Sequence, residues 1–230
     1  MQGSFALAAS ALQALPPSTQ LFNYVYAWYW YLGIACGAVV FAIMGYVLYH
    51  YRARPGRVIP IEKTREDRNT WKGPLITFAL MGIVLGAVGV QTFIALPTYL
   101  YPPNDPGGIQ IGVIGQQFFW SFYYPAQNKT IACPCDVPVN TEIVFNVTSR
   151  DVNHEFGLPA FRVKADAIPG RFNIVWIMPN SIQNYTIQCF ELCGIGHAGM
   201  ISTLVVVPMT TYEVWLNSTA SDSPPVPALT

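Results

Sequence analysis

The chain has 230 residues, of which 52% are hydrophobic and 10% are charged. Its mean hydropathy of +0.34 is too high, and its charge too sparse, for an ordinary soluble domain, so the composition predicts a membrane-embedded part. The formal net charge is zero and no Lys/Arg-rich run forms a basic patch, which argues against a nucleic-acid-binding protein.

The first predicted segment, residues 1–22, carries no charged side chain and includes an apolar stretch at residues 5–15. A secretory signal peptide begins with a positively charged region, which this segment lacks. We therefore predict an external N-terminal extension that is retained and can lie on the membrane surface.

Two uncharged apolar stretches follow at residues 24–49 and 73–101, and each exceeds the ~20 residues that cross a bilayer as a helix. They predict a transmembrane hairpin over residues 23–101 with a connecting loop at residues 51–73. This loop contains seven of the twelve basic residues, so the positive-inside rule places it in the cytoplasm and both termini outside. Two buried helices of a large soluble domain are the alternative, but 230 residues provide too little chain to cover them.

Residues 102–216 show short alternating and β-branched runs separated by Pro, Gly and Asn, which predicts one exported all-β domain, a sandwich or a barrel. The predicted strands cover residues 109–114, 117–124, 142–148, 172–177, 185–188 and 202–207. Residues 217–230 are rich in Ser and Pro and predict a flexible tail. Four Asn-x-Ser/Thr sequons in this half agree with an external, N-glycosylated location. They are Asn128, Asn146, Asn184 and Asn217.

Side chains with metal-binding sulfur and nitrogen atoms occur in the second half of this domain. They are His154, Cys189, Cys193, His197 and Met200. Thiolates, imidazoles and a thioether favour copper over hard cations, and a thioether is a poor zinc ligand. One Cys, two His and one Met suffice for a mononuclear site, whereas a second Cys allows two thiolates to bridge two metal ions. A structural disulfide is the alternative, but it leaves the imidazoles and the thioether unexplained.

The motif CFELCGIGHAGM at residues 189–200 resembles subunit II of haem-copper cytochrome oxidases, whose signature C-x-E-x-C-x-x-x-H-x-x-M it matches in full. The segments VNHEFGLP, KADAIPGR and GQQFFWSFYYP also resemble family segments in the same order, as does the two-helix hairpin. The resemblance covers roughly residues 24–215. It implies a two-helix transmembrane hairpin followed by an all-β, cupredoxin-like Greek-key sandwich that holds a binuclear copper centre of the CuA type.

The same resemblance implies a role for each ligand. The copper ligands would be His154, Cys189, Glu191, Cys193, His197 and Met200. The two thiolates would bridge the metals, the imidazoles would be terminal ligands, the thioether would be axial, and Glu191 would bind through its backbone carbonyl. The Glu191 side chain would also reach a magnesium or manganese ion at the interface with the catalytic subunit, and His197 would pass the electron to haem in that subunit.

The resemblance further implies the electron-accepting subunit of a cytochrome c oxidase-type oxidoreductase in the plasma membrane. Its partners would be catalytic subunit I, which reduces oxygen and pumps protons, and other membrane subunits of the respiratory chain. A membrane-tethered copper chaperone or sensor is the rival, and labile or mononuclear copper would distinguish it. Nitrous-oxide reductase needs a further large domain, and a quinol-oxidase subunit lacks the copper ligands.

The chain departs from the family at Phe118, where members usually carry the Trp through which electrons from cytochrome c enter, although Trp120 is kept. The departure favours another external donor, such as a membrane-bound cytochrome or a small blue-copper protein. Cys133 and Cys135 lie outside the metal motif, and we assign them no metal. A disulfide between them would be strained but feasible outside the cell.

Overall fold

The computed structural model describes residues 17–52, 56, 71–103 and 107–218. Residues 1–16 of the predicted extension, almost all of the basic loop and residues 219–230 of the predicted tail lie outside these residues. The chain divides into two compact units. One consists of residues 23–95, and the other contains the residues up to 22 together with those from 96 onward.

The first unit consists of most of two long helices, α1 (Pro17–Tyr51) and α2 (Lys72–Leu100). Each contains a span of mean hydropathy 2.1, Ser18–Tyr51 and Lys72–Thr98, and the most apolar 18-residue window of each span has no buried residue. Surfaces this large and apolar are not stable in water, and both spans are long enough to cross a bilayer. Two such helices are consistent with a membrane-anchored protein.

α1 begins earlier than the apolar pattern predicts, so residues 17–22 of the predicted extension are helical. A proline is tolerated in the first helical turn because the N–H it lacks would have no intrahelical partner there. The next two side chains are buried within the second unit, to which they belong. Ser18 Oγ donates to the carbonyl of Phe161 at 2.8 Å, and Thr19 Oγ1 donates to that of Ala160 at 3.0 Å.

The second unit is a sandwich of two five-stranded sheets, which confirms the predicted fold class. Its strands are β1 (Ile109–Gln116), β2 (Phe119–Tyr124), β3 (Lys129–Ile131), β4 (Cys135–Pro138), β5 (Ile143–Ser149), β6 (His154–Leu158), β7 (Val163–Ala167), β8 (Asn173–Ile177), β9 (Asn184–Cys189) and β10 (Ile201–Val207). One sheet has the order β3-β2-β1-β5-β8, and the other β4-β10-β9-β6-β7. A helix that the sequence pattern did not predict, α3 (Met209–Leu216), packs Trp215 against Tyr124 at a centroid distance of 5.2 Å.

The six predicted strands correspond to β1, β2, β5, β8, β9 and β10, whereas β3, β4, β6 and β7 were not predicted. β3 has three residues, too few for a periodic pattern, and β4 ends in a proline. All five residues of β6 are buried although it begins with His154 and Glu155, so alternation of polar and apolar residues is absent. Because both of its faces are buried, the strand that carries the first expected ligand could not be predicted from alternation in the sequence.

The core lies between the sheets and is built from the inward positions of each strand. Ile111 and Val113 of β1 face Phe156 of β6 and Leu204 of β10 in one cluster of fully buried side chains. Each fully buried side chain of this kind contributes about 1.5–3 kcal/mol. The core therefore holds the strand ends, and the loops that leave them, in fixed positions.

Candidate metal centre

The strands that carry the first two expected ligands lie side by side. β6 begins at His154 and β9 ends at Cys189, and these antiparallel strands pair Phe156 with Cys189. Side chains two apart on a strand point to the same face. The register therefore brings an imidazole and a thiol together although they are far apart in sequence.

Residues 190–200, here called the ligand loop, connect β9 to β10. The N–H of Cys189 donates to the carbonyl of Met200 at 3.2 Å and closes the base of the loop. A short 3₁₀ turn at His197–Gly199 reverses the chain inside it. Gly194 has φ +134°, a backbone conformation that residues other than glycine rarely adopt. Because of these features the loop folds back on itself, and the side chains at its two ends lie close together.

Four contacts join the five expected side chains. The Sγ atoms of Cys189 and Cys193 are 3.9 Å apart, Cys189 Sγ lies 3.9 Å from His154 Nδ1, and Cys193 Sγ lies 3.7 Å from His197 Nδ1. Met200 Sδ is 3.8 Å from Cys193 Sγ. A disulfide bond would require about 2.05 Å. Both cysteines are free thiols, so the structural disulfide considered from sequence is absent.

The cluster has the properties of a metal site. Ligand atoms of His154, Cys189 and Cys193 all lie within 4.8 Å of one another, and all three residues are buried. Burial and the neighbouring Cys189 thiol raise the pKa of Cys193 to about 11, because two thiolates this close repel each other. A bound cation would reverse this effect. The donor set fits a soft or borderline metal such as copper.

Asp151 fixes which nitrogen of His154 is available to a metal. His154 Nε2 lies 2.9 Å from Asp151 Oδ1. Burial opposes ionisation of Asp151, but hydrogen bonds from the Gln117 N–H, the His154 ring and the Val152 N–H lower its pKa to about 2. An ionised carboxylate can only accept, so Nε2 must carry the proton and Nδ1, which faces Cys189, is left free. Sequence reasoning missed Asp151 and Gln117; an acid three residues before the histidine was the one usable signal.

Glu191 contributes its backbone and not its side chain to the cluster. Its carbonyl oxygen lies 3.2 Å from Cys189 Sγ, and its side chain is exposed. Among the described residues, the group of His154, Cys189 and Cys193 is the one set of acids, imidazoles and thiols close enough to share an ion. A magnesium or manganese ion at Glu191 would therefore need ligands from outside the described part of this chain.

The two aromatic residues considered for electron transfer occupy different positions. Phe118 is half-buried, and its ring lies so close to Gly196 that a Cβ there would overlap it. Trp120 is 1% exposed, and its ring centroid is 5.9 Å from that of His154 in an edge-to-face arrangement. Phe118 therefore reaches both the surface and the ligand loop, whereas Trp120 contacts the cluster from the interior.

Cys133 and Cys135 lie apart from the cluster, and both are free thiols. Cys133 is exposed, with Sγ 3.2 Å from Ser202 Oγ. Cys135 is fully buried, and Tyr124 donates its hydroxyl proton to Cys135 Sγ at 3.7 Å. Burial raises the pKa of the Cys135 thiol, which makes it unreactive.

Replacing Asp151 with Asn is expected to weaken copper binding by roughly 10- to 100-fold, the usual effect of losing a residue that orients a histidine ligand. The amide can present either an acceptor or a donor to Nε2, so the tautomer of His154 is no longer fixed. Competition with a copper chelator measures the affinity. Asp166→Asn is the control, because the Asp166 side chain is exposed on β7, and equal affinities for the two variants would contradict this assignment.

Comparison with known proteins places the chain in a family. A family model described as "Cytochrome C oxidase subunit II, periplasmic domain" matches residues 129–208. The "Heme-copper oxidase subunit 2" of Aeropyrum pernix is 34% identical over 203 residues, which cover 81% of this chain and 85% of the relative. The "Cytochrome c oxidase subunit 2" of Cereibacter sphaeroides is 46% identical over 189 residues, covering 65% and 62%. The crystal structure of the periplasmic domain of subunit II of cytochrome oxidase from Bradyrhizobium japonicum gives a TM-score of 0.46 and 36% identity, covering 48% of this chain and 93% of that one.

The two helices, the sandwich and the side-chain cluster together define the class of protein. It is a β-sandwich protein with two apolar helices and a site rich in sulfur and imidazole groups. Given the identity to the Aeropyrum relative and the share of it that is covered, the chain belongs to the family of heme-copper oxidase subunit 2. Members are subunits of electron-transporting oxidoreductase complexes. The chain spans 54% and 36% of the length of the cytochrome c oxidase subunits 2 of Alkalihalophilus pseudofirmus and Thermostichus vulcanus.

Proposed function

We propose that this chain is the electron-accepting subunit of a haem-copper oxidase and that the cluster holds a binuclear CuA centre. One observation carries the proposal: two free thiols lie 3.9 Å apart, and each has its own imidazole Nδ1 beside it, His154 for Cys189 and His197 for Cys193. A single metal ion needs only one such pair. Two thiol–imidazole pairs whose sulfur atoms face each other suit a site for two metal ions.

Contacts among the six expected ligands support the proposal. The thiols of Cys189 and Cys193 face each other, the Met200 thioether is fully buried beside Cys193, and the Glu191 carbonyl points at Cys189. The copper pair, when bound, supplies one-electron transfer. Because the loop is fixed by hydrogen bonds at its base and at its 3₁₀ turn, the ligands would keep their positions during that transfer.

The electron would leave through His197 to haem in a catalytic subunit I, where oxygen is reduced. His197 is half-buried, so its ring is accessible to a partner, in contrast to the buried His154. The exposed Glu191 carboxylate would complete a magnesium or manganese site together with ligands of that subunit. The apolar helices α1 and α2 would anchor the chain beside it in the plasma membrane.

Copper reconstitution of the full-length chain in detergent tests this proposal. We expect two copper ions per chain that withstand gel filtration, counted by mass spectrometry of the metal. One labile ion per chain would instead support the copper chaperone or sensor. A chain that takes up no copper would refute both.

We propose that the donor is not a lysine-rich soluble cytochrome c. The Phe118 ring, at a position where the family usually has Trp, packs against Gly194 and Gly196 of the ligand loop, and Ile195 of that loop is fully exposed. Residues 117–119 and 190–199 contain one charged side chain, Glu191. This surface therefore suits a donor with an apolar face, such as a membrane-bound cytochrome or a small blue-copper protein.

Cytochrome c oxidation by the purified complex should accordingly be slow, and its rate should change less than about threefold between low salt and ~0.2 M salt, because few charges steer the encounter. Stopped-flow kinetics at several ionic strengths measure this. Fast oxidation that falls steeply with salt would show that a cationic cytochrome docks here.

We also propose that both termini and the sandwich lie outside the membrane, and that sequons among residues 128–217 carry N-linked glycans. Asn128 and Asn184 are exposed, whereas Asn146 lies within β5 and donates its amide to Gln110 Oε1 at 2.9 Å. The amide of Asn217 also donates, to the Glu213 carbonyl. Intact-mass analysis of protein from native membranes should find glycans at Asn128 or Asn184 and none at Asn146. A bare polypeptide would contradict the proposal.

A further inference from the structure

Gln117 makes two hydrogen bonds that lead to two different ligands of the cluster. It lies in the turn between β1 and β2, and its backbone N–H donates to Asp151 Oδ2 at 2.8 Å. Its side-chain Nε2 donates to the carbonyl of Cys193 at 2.5 Å. Because the other oxygen of Asp151 accepts from His154 Nε2, one residue connects the peptide of Cys193 to the ring of His154.

The ligand loop is bonded to β6 at its start, where the Phe190 N–H donates to the Glu155 carbonyl at 2.9 Å, three residues before Cys193. His154 begins β6, whereas Cys193 lies in the middle of the ligand loop, where the chain belongs to no strand. The contact with Gln117 is also close: a Cβ at Gly194 would lie 3.0 Å from Gln117 Nε2 and 3.1 Å from the Phe118 ring. The turn at residues 117–118 therefore packs directly on the part of the loop that carries the second thiol.

We infer that Gln117 is a positioning residue that sets the place of the Cys193 thiol relative to His154 before metal binds. The expected effect on the copper spectrum rests on the proposed copper function. The expected effect on the position of the loop does not. A donor is needed at this point because the Cys193 carbonyl accepts the bond. Asn would be shorter by one methylene, and Glu would present an oxygen to the carbonyl oxygen, so Gln meets both requirements.

Loss of the amide should loosen the ligand loop without unfolding the sandwich. Gln117→Met keeps the length of the side chain and removes the donor, while the backbone bond to Asp151 is retained. A single hydrogen bond of this kind corresponds to roughly 3- to 10-fold faster amide exchange of the segment it holds. Gln116→Met is the matched control, because Gln116 ends β1 beside Gln117 and pairs with Phe119.

Hydrogen–deuterium exchange of the metal-free, full-length chain measures the loosening on peptides from residues 190–200. We expect Gln117→Met and Gln117→Glu to exchange faster there and Gln116→Met to match the wild type, with equal melting temperatures. In the copper-loaded chain the two Gln117 variants should also show a shifted reduction potential and altered copper hyperfine splitting.

Wild-type exchange and an unchanged spectrum in Gln117→Met would overturn the inference, as would equal effects of Gln116→Met. If the wild-type chain takes up no copper pair, the proposed function fails, and the exchange measurement alone still decides the role of Gln117. A copper-loaded wild type together with an unperturbed Gln117→Met variant would leave the function standing and remove Gln117 from it.

Discussion

Replacing Cys193 with Ser is expected to abolish the proposed coupled copper centre and lower copper affinity by at least about 100-fold, since the thiolate would be the strongest ligand of each metal. Cys193 Sγ is the atom nearest to Cys189, His197 and Met200 together, so its loss removes the atom that they share. Copper per chain and the visible spectrum of the reconstituted protein measure the effect. Electron transfer to the complex should be lost with the centre.

Cys133→Ser is the control for this change. Cys133 is an exposed thiol on the same domain, and its nearest side-chain partner is Ser202. The variant should keep full copper content and wild-type colour. If Cys133→Ser lost the copper as well, or Cys193→Ser kept two tightly bound ions, the assignment of the bridging thiols would be wrong.

Trp120→Ala is expected to destabilise the sandwich by about 3–5 kcal/mol, as removal of a large buried ring usually does. The Trp120 ring packs edge-to-face on both His154 and Phe156, with centroid distances of 5.9 and 5.4 Å. Its indole N–H has no hydrogen-bond acceptor among the described residues, so the variant would lose stability through lost packing and not through a lost hydrogen bond. Chemical denaturation of the metal-free chain, followed by fluorescence, measures the free energy of unfolding.

Phe119→Ala provides the comparison, because Phe119 is the preceding residue of β2 and is 43% exposed. Its substitution should change stability by about 0.5 kcal/mol or less. Equal losses in the two variants would mean that the alternation of β2 is not as described. A stable Trp120→Ala variant with disturbed copper spectra would instead assign Trp120 to the metal site alone.

The parts of the fold that follow from local pattern were predictable from sequence. The uncharged stretches around residues 24–49 and 73–101 gave both helices, because a span in lipid tolerates few charges. Strands with alternating residues, such as β1 and β10, were also predicted. β6 was missed because both of its faces are buried, and α3 because eight residues carry too weak a helical period.

The ligand set followed from sequence for a different reason. Cys189, Cys193, His197 and Met200 lie within twelve residues, so one loop brings them together whatever the rest of the chain does. The residues that orient them did not follow. Asp151 and Gln117 act through contacts between loops that are separated by 34 residues, and such contacts exist only after the sheets have packed. Tertiary structure was needed to find them.

Electron paramagnetic resonance of the copper-loaded, oxidised chain is the most direct test of the paired-metal interpretation. The sulfur atoms at the end of β9 and in the loop after it should support one unpaired electron that is shared equally by two copper nuclei. A hyperfine pattern from a single nucleus, or a covalent bond between those two sulfur atoms in the native protein, would contradict it.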